Sequence, residues 1–129
     1  MGFEQPVVLV VEDEPLVRES IADELRTYGW CVLEAAGGED ALSLTADNQI
    51  DVVFTDILLP GKMSGWEIAE ALRAKVPALP VLYTSGHGCD AARQVAGSVF
   101  IRKPYQPGFI IEACYNLMAE PAADCLSSE

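Results

Sequence analysis

Apolar positions alternate along this chain between two rhythms. Val7–Val11 is an unbroken, β-branched-rich run, the pattern of a strand buried on both faces. Val52–Thr55, Val81–Thr84 and Val99–Ile101 repeat it, and Cys31–Glu34 is a weaker run that suits a sheet edge. Between these runs the period lengthens. Val17, Ile21, Leu25 and Tyr28 share one helical face, and Gly29 stops that helix. Asp40–Asp47 predicts a second, shorter helix. Trp66, Ala69, Leu72 and Val76 mark a third that ends before Pro77, and Ile110, Ala113, Cys114 and Leu117 mark the last. The crossover Gly86–Gly97 is brief and bounded by glycine, so its helix is expected to be short. Alternating strands and helices predict a doubly wound α/β fold on a parallel sheet. From residue 120 to 129 the composition turns to Pro, Ala, Ser and acid, which predicts a flexible tail.

A length of 129 residues, half of them hydrophobic, fits one domain with its own core. Met1–Pro6 has neither the basic segment nor the apolar run of a signal peptide, and no apolar stretch is long enough to cross a bilayer. The net charge of −12 argues against direct nucleic-acid binding, because no basic stripe faces phosphates. It suits a cation or a basic partner surface, although solubility accounts for most of it. Cys31, Cys89, Cys114 and Cys125 form no C-x-x-C pair and have no histidine cluster beside them. They are expected to be free thiols of a cytoplasmic protein, with Cys31 and Cys114 packed in or near the core, and a zinc site is not expected.

In open parallel sheets ligands gather beyond the carboxyl ends of the strands. The first strand ends in Glu12-Asp13-Glu14, the third in Asp56, the fourth in Thr84-Ser85 and the fifth in Arg102-Lys103-Pro104. Clustered carboxylates repel one another, and a hard cation such as Mg²⁺ with oxygen ligands relieves that repulsion. A lysine and a hydroxyl can hold phosphoryl oxygens, and a carboxylate can accept a phosphoryl group. Each residue alone has a plainer explanation. Acids after a strand cap the next helix, as Glu14-Pro15 suggests, and a lysine at a strand end is commonly solvated. Their convergence on one rim is what the plain explanations leave over.

The stretches Val10-Val11-Glu12-Asp13-Glu14, Thr55-Asp56-Ile57-Leu58-Leu59-Pro60 with the following Gly65, Pro80-Val81-Leu82-Tyr83-Thr84-Ser85-Gly86 and Phe100-Ile101-Arg102-Lys103-Pro104-Tyr105 carry a resemblance. Over residues 5–119 the chain resembles the receiver domain of bacterial two-component response regulators, in the manner of single-domain regulators. The resemblance implies a five-stranded sheet of flavodoxin-like order 2-1-3-4-5 with helices on both faces. It implies Asp56 as phosphoacceptor, and a Mg²⁺ site of Asp13, Asp56, the Leu58 backbone carbonyl and, largely through water, Glu12. It further implies Ser85 as the switch hydroxyl, Lys103 as the phosphate-binding lysine before a cis Pro104, and Phe100 as the switch aromatic. Leu58 and His87 would flank the path of the water that ends the phosphorylated state. The implied partners are a sensor histidine kinase or histidine phosphotransfer protein and an unidentified downstream protein. The chain would assist its own phosphorylation and dephosphorylation without being a conventional enzyme.

Four features depart from the family pattern: Glu12 where aspartate is commoner, one extra residue between Asp56 and Gly65, a short Ser85–Lys103 stretch, and Phe100 without a phenolic hydroxyl. The rival readings fit less well. A haloacid-dehalogenase-like phosphotransferase needs an Asp-x-Asp on its first strand, and a flavodoxin-like cofactor binder needs a Ser/Thr/Gly-rich loop where this chain has three acids. A degenerate receiver would lack some of the groups present here. A fragment of a hybrid histidine kinase remains open as the alternative to a free-standing regulator.

Overall fold

The computed structural model describes residues 5–86 and 91–127. Five parallel strands, β1 (Val7–Val11), β2 (Cys31–Ala35), β3 (Val52–Asp56), β4 (Val81–Ser85) and β5 (Val99–Arg102), lie in the order β2-β1-β3-β4-β5. Helices α1 (Pro15–Thr27), α2 (Gly38–Asp47), α3 (Gly65–Lys75) and α4 (Pro107–Ser127) connect or follow them. The doubly wound fold and the strand order are therefore those expected.

β1 shows why its sequence is a continuous apolar run. Val8 and Val10 face Ile21, Leu25, Phe54 and Ile110 on the α1/α4 side, and Leu9 and Val11 face Val53, Ile68, Leu72 and Tyr83 on the α2/α3 side. All four side chains are buried, because both faces of a central parallel strand are covered. Edge strand β2 is less enclosed. Cys31, at its start, is exposed, whereas Cys114 on α4 is buried as expected, its thiol pushed up to about 12 by burial.

The helices follow local signals. α1 takes Pro15 at its first position and ends at Gly29, whose φ of 95° is one that side-chain-bearing residues rarely adopt. α3 opens with a capping box. The Ser64 hydroxyl accepts from the Glu67 N–H at 3.3 Å, and the Glu67 carboxylate accepts from the Ser64 N–H at 2.8 Å. Between β4 and β5 the helical structure among the described residues is a single 3-10 turn, Ala91–Arg93. Contacts that hold that connection include Val95 N–H to the Tyr83 hydroxyl at 3.2 Å, Arg73 to the Ala96 carbonyl at 2.7 Å, and the Arg93–Glu70 pair at 3.4 Å. Where composition predicts a tail over 120–129, α4 continues to Ser127. Ala119, Glu120, Ala122 and Ala123 are strong helix formers, and a polar, alanine-rich composition does not by itself stop a helix.

Candidate functional site

The strand order reverses direction between β1 and β3, and the site lies at the carboxyl ends of those strands. Glu12 directly follows β1 and is buried, its N–H donating to the Ala35 carbonyl at 3.0 Å. Asp56 is the last residue of β3 and is also buried. Asp13 is exposed at the rim. One carboxylate oxygen from each of Glu12, Asp13 and Asp56 lies within 4.8 Å of the others. Glu14 is the N-cap of α1, yet its side chain makes no cap hydrogen bond, so helix capping does not account for the acids.

Lys103, following β5, reaches into this cluster. Its ammonium donates to Asp56 Oδ2 at 2.7 Å and to Glu12 Oε1 at 3.2 Å. The other oxygen of Glu12 accepts from the Glu14 N–H at 3.1 Å, and Asp56 Oδ1 accepts from the Leu58 N–H at 3.2 Å. Burial opposes the Lys103 charge, but the hydrogen bond to Asp56 and the charges of Asp56 and Glu12 outweigh it and hold the lysine above its ordinary pKa. The Glu12 carboxyl is raised, chiefly by burial and further by Asp56, against the opposing pull of the Glu14 N–H and Lys103. The peptide bond from Lys103 to Pro104 is cis, as the resemblance implies.

Three hard oxygen donors, two of them buried and mutually repelling, are a donor set that fits Mg²⁺, with an exposed Asp13 leaving room for waters. The Leu58 side chain is exposed beside this rim. An open groove of about 700 Å³ borders the site along Leu16, Val17, Ser20, Lys103 and Tyr105. The Tyr105 ring packs edge-on against Phe54 at 5.8 Å, and its buried hydroxyl has no hydrogen-bond partner among the described residues. Burial, and then the Glu12 charge, push that phenol up to about 12.

Ser85 and Thr84 separate by strand alternation. Thr84 falls on the face of Leu82 and Phe54, where its buried hydroxyl is unpaired among the described residues and it fills a β-branched core position. Ser85 falls on the face of Tyr83, which is in register with Phe100 on β5. Ser85 and the half-buried Phe100 therefore share one side of the sheet. His87 lies outside the described residues. One contributor was not singled out from sequence, and a second entered there only as a motif landmark. Arg18 donates to the Glu12 carbonyl at 2.7 Å, and Gly65 packs against the backbone of Asp56. An arginine four residues past Glu14 was the available signal for the first.

Replacing Lys103 by Met is expected to leave Glu12 and Asp56 facing each other without compensation. The sign follows from the raised pKa values. The Lys103 contribution is present throughout the neutral range and is lost only in strong alkali. Glu12, raised in the fold, stabilises the protein less as pH rises through its folded pKa. Metal-free Lys103→Met should thus lose about 2 kcal/mol at pH 8 and less at pH 5. Thermal unfolding at both pH values checks this, and an equal loss at both would contradict it.

The comparisons with known proteins agree with this geometry. The family model for the response regulator receiver domain matches residues 8–115. The probable transcriptional regulatory protein TcrX of Mycobacterium tuberculosis is 36% identical over 106 residues, covering 78% of this chain and 45% of that protein. The putative response regulator NtrX-like of Rickettsia bellii is 38% identical over 103 residues, covering 76% of this chain and 22% of that protein. The chain thus spans less than half the length of these relatives. Among solved structures, a response regulator receiver protein from Sinorhizobium medicae superposes with a TM-score of 0.85 at 28% identity, over 91% of this chain and 97% of that one. The receiver domain of the hybrid histidine kinase CckA gives 0.76 at 32% identity, over 87% and 98%. Receiver domains are signalling modules that pair with histidine kinases or phosphotransfer proteins. With the fold, the acid–lysine rim and the family match in agreement, the chain belongs to the response regulator receiver domain family.

Proposed function

We propose that residues 5–119 form a cytoplasmic phosphoacceptor unit in which Asp56 takes a phosphoryl group from a histidine kinase or histidine phosphotransfer protein. The observation that carries this reading is the convergence on Asp56 of Glu12, Asp13 and Lys103. An Asp56 carboxylate oxygen attacks phosphorus while the bond to the donor imidazole nitrogen breaks. Lys103, already 2.7 Å from Asp56, moves from a carboxylate oxygen to a phosphoryl oxygen. Asp13, Asp56, the Leu58 carbonyl and, largely through water, Glu12 would hold Mg²⁺, which would supply neutralisation of charge on the transferring group. The Ser85 hydroxyl then turns toward the phosphoryl group, and Phe100 on the same sheet face moves inward, shifting a pre-existing equilibrium. The altered surface is the message to a downstream protein. Leu58 is apolar and cannot orient the hydrolytic water, so the imidazole of His87, a side-chain type suited to proton exchange near neutral pH, is assigned the larger influence on phosphate lifetime.

Phosphorylation by a small acyl phosphate, followed against Mg²⁺ concentration, tests the assignment. Asp13→Ala should weaken Mg²⁺ binding by on the order of a hundredfold and Glu12→Ala by about tenfold. Calorimetry that finds neither affinity changed would remove the acids from the cation site.

A further inference from the structure

A chain of contacts leads away from the acidic rim to the edge of the sheet. Arg18, in the first turns of α1, donates through Nη1 to the Glu12 backbone carbonyl at 2.7 Å and through Nε to Glu34 Oε1 at 3.3 Å. The other oxygen of Glu34 accepts from Arg26 Nη2 at 3.0 Å, and the same nitrogen reaches the Val32 carbonyl at 3.3 Å. Arg26 also pairs with Asp23 at 3.5 Å. The Arg18 and Glu34 side chains are both largely enclosed.

The peptide that Arg18 holds is the one joining Glu12 to Asp13. Glu12 itself is held on both sides: its N–H, in the preceding peptide, is tied to Ala35 at the end of β2, and its carbonyl is tied to Arg18. Rotation of that peptide plane would swing the exposed Asp13 carboxylate relative to the buried Glu12. A guanidinium anchored to Glu34 opposes such rotation, because its planar fork presents its donors in a fixed geometry. The Glu34 carboxylate is in turn set by Arg26.

We propose that Arg18, anchored by Glu34, is a positioning residue that fixes the Glu12–Asp13 turn for divalent-cation binding. This rests on the reading of Glu12, Asp13 and Asp56 as a Mg²⁺ site. Arg18 touches neither the cation nor the phosphoryl group. It acts through the backbone, as outer partners of metal ligands do. Its own charge works against a cation, so a positioning role and a purely electrostatic one predict opposite signs.

The test is Mg²⁺ titration by calorimetry, with thermal unfolding, of wild type, Arg18→Met, Arg18→Lys and Glu34→Gln. Met keeps the aliphatic stem packed. Arg18→Met should bind Mg²⁺ about tenfold more weakly. Arg18→Lys, which keeps a cationic donor for the Glu12 carbonyl but lacks the planar fork, should regain only part of the affinity, and Glu34→Gln should lose less than Arg18→Met. The phosphorylation rate of Arg18→Met should recover at saturating Mg²⁺, a split that a general loss of folding would not give. Unchanged or tighter Mg²⁺ binding in folded Arg18→Met overturns the positioning role. Should Arg18→Met fail to fold, Arg18→Lys and Glu34→Gln decide: affinities below wild type support the role, and wild-type affinities in both overturn it. A wild-type protein that binds no Mg²⁺ overturns the cation site itself, and the positioning role with it.

Discussion

Gly65→Ala is expected to be the most damaging single-methyl change in the protein. A Cβ at this position would clash with the Asp56 carbonyl oxygen and would sit 2.8 Å from Ile57 Cα and 2.9 Å from the Asp56 carbonyl carbon. All three are backbone atoms, so no rotamer can relieve the contact. The Gly65 N–H also donates to the Ile57 carbonyl at 2.8 Å, which pins α3 against the end of β3. Either α3 or the strand end bearing Asp56 has to move. Overpacking of this kind costs about 3 kcal/mol, which corresponds to roughly 10 °C in melting temperature for a domain of this size. Phosphorylation should slow as well, because Asp56 moves with its backbone. Gly86→Ala is the control. A Cβ there meets nothing within 4 Å, and its melting temperature should stay close to wild type. Equal melting temperatures for the two variants would contradict the packing argument.

The strands were legible because burial on both faces forces continuous apolar runs, and β1 fills both cores with alternate residues. Their ends were less legible. Asp56, Ser85 and Arg102 are the last ladder residues of their strands, yet as polar residues they interrupt the apolar pattern. The residues converging at the rim were legible because each follows or ends a strand, and a parallel sheet brings such ends to one edge. Arg18 was not, because its partner Glu34 lies on β2, outside the helix that carries it, and its other contact is to a backbone carbonyl, which side-chain patterns do not record. Gly65 stood in the sequence as a motif landmark without its reason. The need for glycine there comes from the Asp56 backbone, which approaches only after α3 folds back on β3. From residue 120 helix-forming alanines and a tail-like composition overlap, and α4 runs on to Ser127.

The second large effect is all-or-none and bears on the central claim, that Asp56 is the phosphoacceptor. Asp56→Asn nearly preserves the shape of the side chain and keeps an oxygen able to accept from the Leu58 N–H. It removes the carboxylate charge that Lys103 holds at 2.7 Å, and with it the anionic nucleophile that the proposed reaction needs. Glu12 and Asp13 remain, so a phosphorylation site elsewhere in the acidic rim would survive the change. The measurement is intact-protein mass after incubation with a small acyl phosphate and Mg²⁺, with peptide mapping of any phosphoryl group. Wild type should gain a single phosphoryl group that maps to Asp56 and is lost in alkali, and Asp56→Asn should gain none. An Asp56→Asn protein that folds as wild type and is labelled to the same extent would contradict the account.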